Sequence, residues 1–254
     1  MNEINIIPIG SGSTGNSIYI EILDHRFLID MGIGFRKIRD ALALHDRNIN
    51  DIEAIFLTHG HSDHTKAAKA IANNTSCKVY ADQSSMYAIR DINAERVILE
   101  SSTTYEILPG LKVRMFPVPH DYVRTCGFVF EYQGKKLGYV TDCGKMNEII
   151  IDEIAGSDVI VIESNHDIEM LKNGPYPKDL QRRILSKYGH LSNDDCAETI
   201  ATLYDKGSRN FILAHISLNN NTVQLAYDTT ANRMQGKDIT LYACKEESVD
   251  LLSF

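Results

Sequence analysis

The chain has 254 residues, 43% of them apolar and 24% charged, and a net charge of −8. That length suits one large α/β domain spanning residues 1–254 with a sizeable core, and the composition is that of a soluble globular protein. The acidic balance excludes a protein that coats nucleic acid by its field alone, but not a nuclease whose bound cations and local basic patches do that work.

In chain order, Asn5–Ile9, Ser17–Leu23 and Arg26–Ile29 are short apolar or alternating runs that predict strands, with a hairpin-like break at Asp24-His25. Gly34–Leu44 has helical spacing through Ile38, Ala41 and Leu42. Ala54–Leu57 predicts a strand, and Thr65–Ala72 reads as the helix after it. Strand patterns recur at Lys78–Ala81, Arg96–Leu99, Leu111–Val118, Gly127–Tyr132 and Lys136–Thr141. The second half alternates: strand at Asp158–Ile162, helix at Lys178–Tyr188, and a helix opened by the capping pattern Ser192-Asn193-Asp194-Asp195 and stopped at Gly207. Strands at Asn210–Ala214 and Ile239–Ala243 flank a helix at Thr222–Met234. Many strands early, then strand and helix in alternation, suit sheets between helical layers. No internal repeat or linker marks a boundary. No run approaches the ~20 apolar residues of a membrane span, and Met1-Asn2-Glu3-Ile4 lacks the marks of a secretory leader. Cys77, Cys126, Cys143, Cys196 and Cys244 are odd in number and never spaced as a pair, which predicts reduced thiols and a cytoplasmic location.

The chemistry concentrates in Thr58-His59-Gly60-His61-Ser62-Asp63-His64, whose last six residues hold three imidazoles and a carboxylate at a strand end. Groups so crowded repel one another unless a cation sits among them, and nitrogen–oxygen sets accept zinc, manganese or iron. Four more polar residues follow apolar strand patterns: His120, Asp142, Glu163 and His215. Strand-end loops on a rigid sheet are where α/β proteins gather function. On residue type alone each is also compatible with a single loop residue.

Together these positions resemble the metallo-β-lactamase superfamily. His59-x-His61-x-Asp63-His64 matches its signature, Asp30 its first motif, and His120, Asp142 and His215 its third to fifth. The resemblance covers essentially the whole chain and implies a four-layer αββα sandwich binding two divalent metal ions. It puts His59, His61 and His120 on one ion and Asp63, His64 and His215 on the other, with Asp142 bridging. Within the superfamily, the runs Gly10–Ser17, Glu163-Ser164-Asn165-His166-Asp167, Gly189–Asn193 and Leu213–Ser217 look like the YycJ/WalJ group, regarded as DNA exonucleases working from the 5′ end of duplex DNA. Gly60, where many relatives have an acid, and Cys143, where a threonine is expected, depart from the pattern.

The resemblance therefore implies a dinuclear phosphodiesterase, a 5′-to-3′ exonuclease on double-stranded DNA, with catalytic residues Asp63, Asp142 and His190. His190 occupies a place like that of a histidine near the scissile phosphate in the RNase Z enzymes, which suggests a proton donor. His166 is an expected substrate contact. So are Lys178, Arg182 and Arg183, from the basic stretch Lys172–Lys187. Glu163 is expected to hold a metal-bound histidine. The Gly10–Ser17 run is followed by a strand pattern rather than a helix, so it is neither a P-loop nor a dinucleotide fingerprint. Competing readings are an RNA-processing or small-molecule metallo-hydrolase (cyclic phosphate, thioester), and a non-enzymatic binding module with a structural metal.

Overall fold

The structure, a computed structural model, describes residues 4–12, 14–245 and 250–254; Met1–Glu3 and Ser13 of the glycine-rich run lie outside these. The elements run β1 (Ile4–Gly10), β2 (Ser17–Ile22), β3 (His25–Ile29), α1 (Phe35–Ala43), β4 (Ala54–Phe56), α2 (Ser62–Thr65), α3 (Ala68–Asn74), β5 (Lys78–Ala81), α4 (Gln83–Ala88) and β6 (Arg96–Ile98). They continue as β7 (Thr104–Leu108), β8 (Leu111–Val118), β9 (Thr125–Tyr132), β10 (Lys135–Val140), α5 (Glu148–Ile154), β11 (Val159–Glu163), α6 (Ile168–Asn173), α7 (Lys178–Ile184), α8 (Asn193–Asp205), β12 (Asn210–Ala214), α9 (Val223–Arg233), β13 (Thr240–Ala243) and β14 (Leu252–Ser253).

Two compact units result, one from Met1–Thr103, Tyr122–Arg124 and Glu246–Phe254, the other from Thr104–Asp121 and Thr125–Lys245. Each is built on one seven-stranded sheet, ordered β14-β1-β2-β3-β4-β5-β6 in the first and β13-β12-β11-β10-β9-β8-β7 in the second. Both sheets are mixed: antiparallel hairpins pass into parallel strands at β3–β4 and at β10–β11. In the first unit Ile38 and Leu42 of α1 and Ile71 of α3 close over Leu28, Ile55 and Val79 of the sheet. In the second, Ile150 and Ile154 of α5 and Ile200 and Leu203 of α8 pack with Val140, Ile160 and Leu213. Each such side chain, fully buried, contributes about 1.5–3 kcal/mol relative to exposure.

The Val159–Glu163 run is buried at every position, the signature of a parallel strand covered on both faces. Its in-register neighbours, Val140↔Ile162 on one side and Glu163↔Ala214 on the other, bring the ends of β10, β11 and β12 level. Asp142, Glu163 and His215 consequently emerge along one edge of the second sheet.

The expected helix over Thr65–Ala72 is in fact two pieces. It begins at Ser62, so that His64 is helical, and breaks at Ala67, whose amide donates to the Met31 carbonyl rather than continuing the helical ladder. The helix expected over Lys178–Tyr188 ends at Ile184, with Leu185 as C-cap. Ser192 caps α8 as its pattern predicted, its hydroxyl accepting from the Asp195 amide, and Gly207 follows the helix with φ of 104°. Among the described residues, no helix is long and apolar enough to cross a membrane.

Candidate metal centre

In the first unit the donors are aimed by what lies behind them. Asp30 at the end of β3 is fully buried, and its Oδ1 accepts the Thr58 amide at 2.9 Å. Its Oδ2 accepts the Thr58 hydroxyl and His64 Nδ1, both at 2.8 Å. Burial raises the Asp30 carboxyl, against the pull of His64 and Thr58. His59 Nδ1 lies 3.0 Å from the Thr58 hydroxyl, which can accept its proton. The arrangement fixes both rings with Nδ1 protonated and leaves a lone pair on each Nε2, the state a metal requires. Two donor pairs follow: His59 Nε2 stands 2.9 Å from His61 Nδ1, and His64 Nε2 stands 3.4 Å from Asp63 Oδ2. Lone-pair atoms this close suit the edge of a coordination shell. Asn16, at the end of the glycine-rich run, places its amide nitrogen 3.0 Å from His64 Nε2. The Gly10–Ser17 run includes it, but gives it no role.

The second unit holds a donor set of its own. His120 donates from Nδ1 to the Gly189 carbonyl at 3.0 Å, and its Nε2 lies 3.7 Å from Asp142 Oδ1. Burial lowers the His120 pKa although Asp142 and Glu163 attract its proton, so the ring is held neutral, as a ligand must be. Glu163 is a buried carboxylate with four donors. Its Oε2 accepts the amides of Cys143 (2.8 Å) and Leu191 (3.1 Å), and its Oε1 accepts Nδ1 of His190 (2.8 Å) and His215 (2.7 Å). Burial works against its ionisation, but His190 and His215 overcome that and hold the carboxyl below the usual carboxylate range. Asp142, Glu163, His190 and His215 each offer an atom within 4.8 Å of the others. An amide clasp locks the loops behind them: Asn193 and Asn221 exchange Nδ2–H···Oδ1 bonds at 2.9 and 2.8 Å, and Asn221 Nδ2 also reaches the Ser164 and Asn165 carbonyls.

Three of these residues carry a local backbone cost. Asp30 (φ 55°), Asp142 (53°) and His215 (55°) are left-handed at strand ends. For non-glycine residues this costs of order 1 kcal/mol or more each and gathers at functional sites.

The two departures from the superfamily pattern have local explanations. A side chain at Gly60 would collide with the Tyr122 hydroxyl, which occupies that space. Cys143 serves through its backbone amide on Glu163 while its buried thiol, pushed upward by burial, lies 3.5 Å from Met146 Sδ.

The expected substrate contacts divide. Lys178, Arg182 and Arg183 are exposed on α7, but Lys178 Nζ donates to the Lys172 carbonyl and Gln181 Oε1, Arg182 pairs with Asp179, and Arg183 pairs with Asp121. His166 is corrected: it is 1% exposed and presents no surface to a substrate. Among the described residues neither of its ring nitrogens has a hydrogen-bond partner, and burial lowers its pKa to about 4. The unfolded chain takes up that proton below ~6.5 while the folded one does not until about 4. Stability is therefore lost as pH falls through that window, by up to about 3 kcal/mol. Denaturant titrations of metal-free protein from pH 7 to 4 should show a steeper loss in wild type than in His166→Gln; parallel curves would refute this account.

Comparison with known proteins agrees with these features. The family model for a beta-lactamase superfamily domain matches residues 25–216. The exodeoxyribonuclease YycJ of Bacillus anthracis is 33% identical over 233 residues, covering 90% of this chain and 88% of that one. The exodeoxyribonuclease WalJ of Streptococcus pneumoniae is 32% identical over 91% of this chain and 88% of its own. Among solved structures, Zn2+-bound PqqB from Methylobacterium extorquens superposes with a TM-score of 0.73 over 98% of this chain and 100% of its own, at 20% identity, a likeness of fold.

Proposed function

Since the chain belongs to the β-lactamase superfamily, alongside the YycJ and WalJ exodeoxyribonucleases, we propose that this metal-dependent hydrolase is a 5′-to-3′ exonuclease on double-stranded DNA. The observation that carries the reading is the 33% identity to YycJ across 90% of the chain. The proposal includes a single working domain over residues 1–254 and a cytoplasmic location.

The cofactor is a pair of divalent ions, and the donor pairs at His59/His61 and Asp63/His64 fit it. The proposed ligands are His59, His61, Asp63 and His64 of the first unit with His120, Asp142 and His215 of the second. Bound there, the ions would supply an acidified water and offset the charge that develops on the phosphate. The protein's own groups do the rest. Asp30 and Glu163 keep His64 and His215 in the metal-binding tautomer. His190 is the proposed proton donor: its Nδ1 rests on Glu163, whose ionised state favours the imidazolium, and its side chain is 22% exposed. Lys178, Arg182 and Arg183 are the proposed phosphate-backbone contacts, with Arg183 first exchanging Asp121 for a phosphate.

The test uses purified protein loaded with manganese or zinc on 5′-phosphorylated duplex, single-stranded DNA and RNA, with the label placed at either end. Mononucleotides released from the 5′ end of duplex, abolished by chelator, are the expected result. Cleavage confined to RNA, or to small phosphodiesters or thioesters, would replace this reading with a different substrate for the same metal chemistry.

A further inference from the structure

Next to the histidine run of the first unit stands a loop that the ligand set leaves unused. Tyr122, Val123 and Arg124 lie between β8 and β9 and cluster with the first unit. The Tyr122 ring meets His61 and His59 edge-on, with centroids 4.9 and 5.5 Å away, and its hydroxyl fills the space over Gly60. The loop is thus seated directly on two proposed metal ligands. Its tip is apolar: Val123 is 83% exposed, more than any other large apolar side chain described. Arg124, beside it, is exposed and enters no ion pair among the described residues.

A solitary exposed valine is ordinary on a protein surface. This one is set apart by its root on the metal-binding turn and by its neighbouring cation. An apolar side chain can wedge against or between bases, and a cation beside it can neutralise a flanking phosphate. We infer that the Tyr122–Arg124 loop holds the terminal nucleotide of the DNA. Val123 bears on the face of the last base pair, Arg124 neutralises a phosphate next to it, and Tyr122 fixes both at a constant place relative to His59 and His61. The inference rests on the exonuclease reading and adds to it the group that senses a duplex end.

The test compares wild type with Val123→Ser, Arg124→Gln and Tyr122→Leu, all loaded with manganese. The substrates are a blunt 5′-phosphorylated duplex and bis(p-nitrophenyl) phosphate, which has no base pair to grip. The ratio of kcat/KM for duplex over small diester should fall about tenfold in Val123→Ser and Tyr122→Leu. In Arg124→Gln the slope of log binding constant against log salt, measured by anisotropy on the duplex, should shrink by about one. Wild-type cleavage of duplex with all three variants matching it in ratio and slope overturns the loop assignment alone. A wild type that hydrolyses the small diester but neither binds nor cleaves DNA overturns the exonuclease reading and the loop with it.

Discussion

Asp142→Asn should yield a folded protein whose metal-dependent turnover is lower by about a hundred- to a thousandfold, the range seen when one electrostatic stabiliser is removed from an active site. Asparagine is the informative replacement because Asp142 sits at φ 53°, a region that asparagine tolerates and alanine does not. An Asp142→Ala result would mix the lost carboxylate with about 1 kcal/mol of backbone strain. Asparagine keeps shape and conformation and removes the charge. That charge is 2% exposed, with Oδ1 3.7 Å from His120 Nε2, 3.6 Å from His215 Nδ1 and 3.8 Å from His190 Nδ1. Glu163 cannot take its place, since both of its oxygens are committed to four donors of their own. Elemental analysis after desalting should find less than the wild-type metal content, while the metal-free proteins melt alike. Undiminished hydrolysis by Asp142→Asn would remove the aspartate from the chemistry and with it the proposed two-ion arrangement.

Some of this was legible in the sequence because covalent spacing carries it. His59 to His64 are neighbours along the chain, so no folding is needed to bring them near one another. The polar residue after an apolar run was an adequate signal for Asp142, Glu163 and His215, because parallel strands in register end at one edge. What escaped the sequence depends on contacts between distant segments. Nothing local to Ala67 says that its amide will turn to Met31 and split a helix. The short helices α4, α5 and α6 carry visible caps in Asp82, Asn147 and Asp167, but six or seven residues give too little periodicity to read. His166 stands between two polar neighbours in a loop, where exposure is the natural expectation; its backbone instead bridges to Ser192, and its carbonyl accepts the Asn193 amide. Tyr122 lies outside every motif, and its place beside His59 and His61, over Gly60, shows only in the fold.

Glu163→Gln should cost this protein its metal while sparing most of its fold, and the reason is a conflict over protons. The carboxylate accepts four hydrogen bonds, two on each oxygen. An amide can accept on one side only. If its NH2 faces the amides of Cys143 and Leu191, donors confront donors in a buried site, which costs on the order of 1–3 kcal/mol. If it faces His190 and His215, the carbonyl satisfies the backbone, and the histidines must offer lone pairs on Nδ1. Their protons then move to Nε2. His215 with a protonated Nε2 has no electron pair to give a metal from that atom, and His190 loses the negative partner that favours its charged form. The second arrangement avoids the buried clash, so the variant should settle there: melting lowered modestly in the metal-free state, metal affinity weaker by about ten- to a hundredfold, and hydrolysis reduced even at saturating metal. Imidazole 15N shifts in metal-free protein would read the tautomer directly, with His215 changing from Nδ1-protonated to Nε2-protonated. Wild-type metal affinity together with an unchanged tautomer would mean that Glu163 is structural only, and that something else orients the histidine.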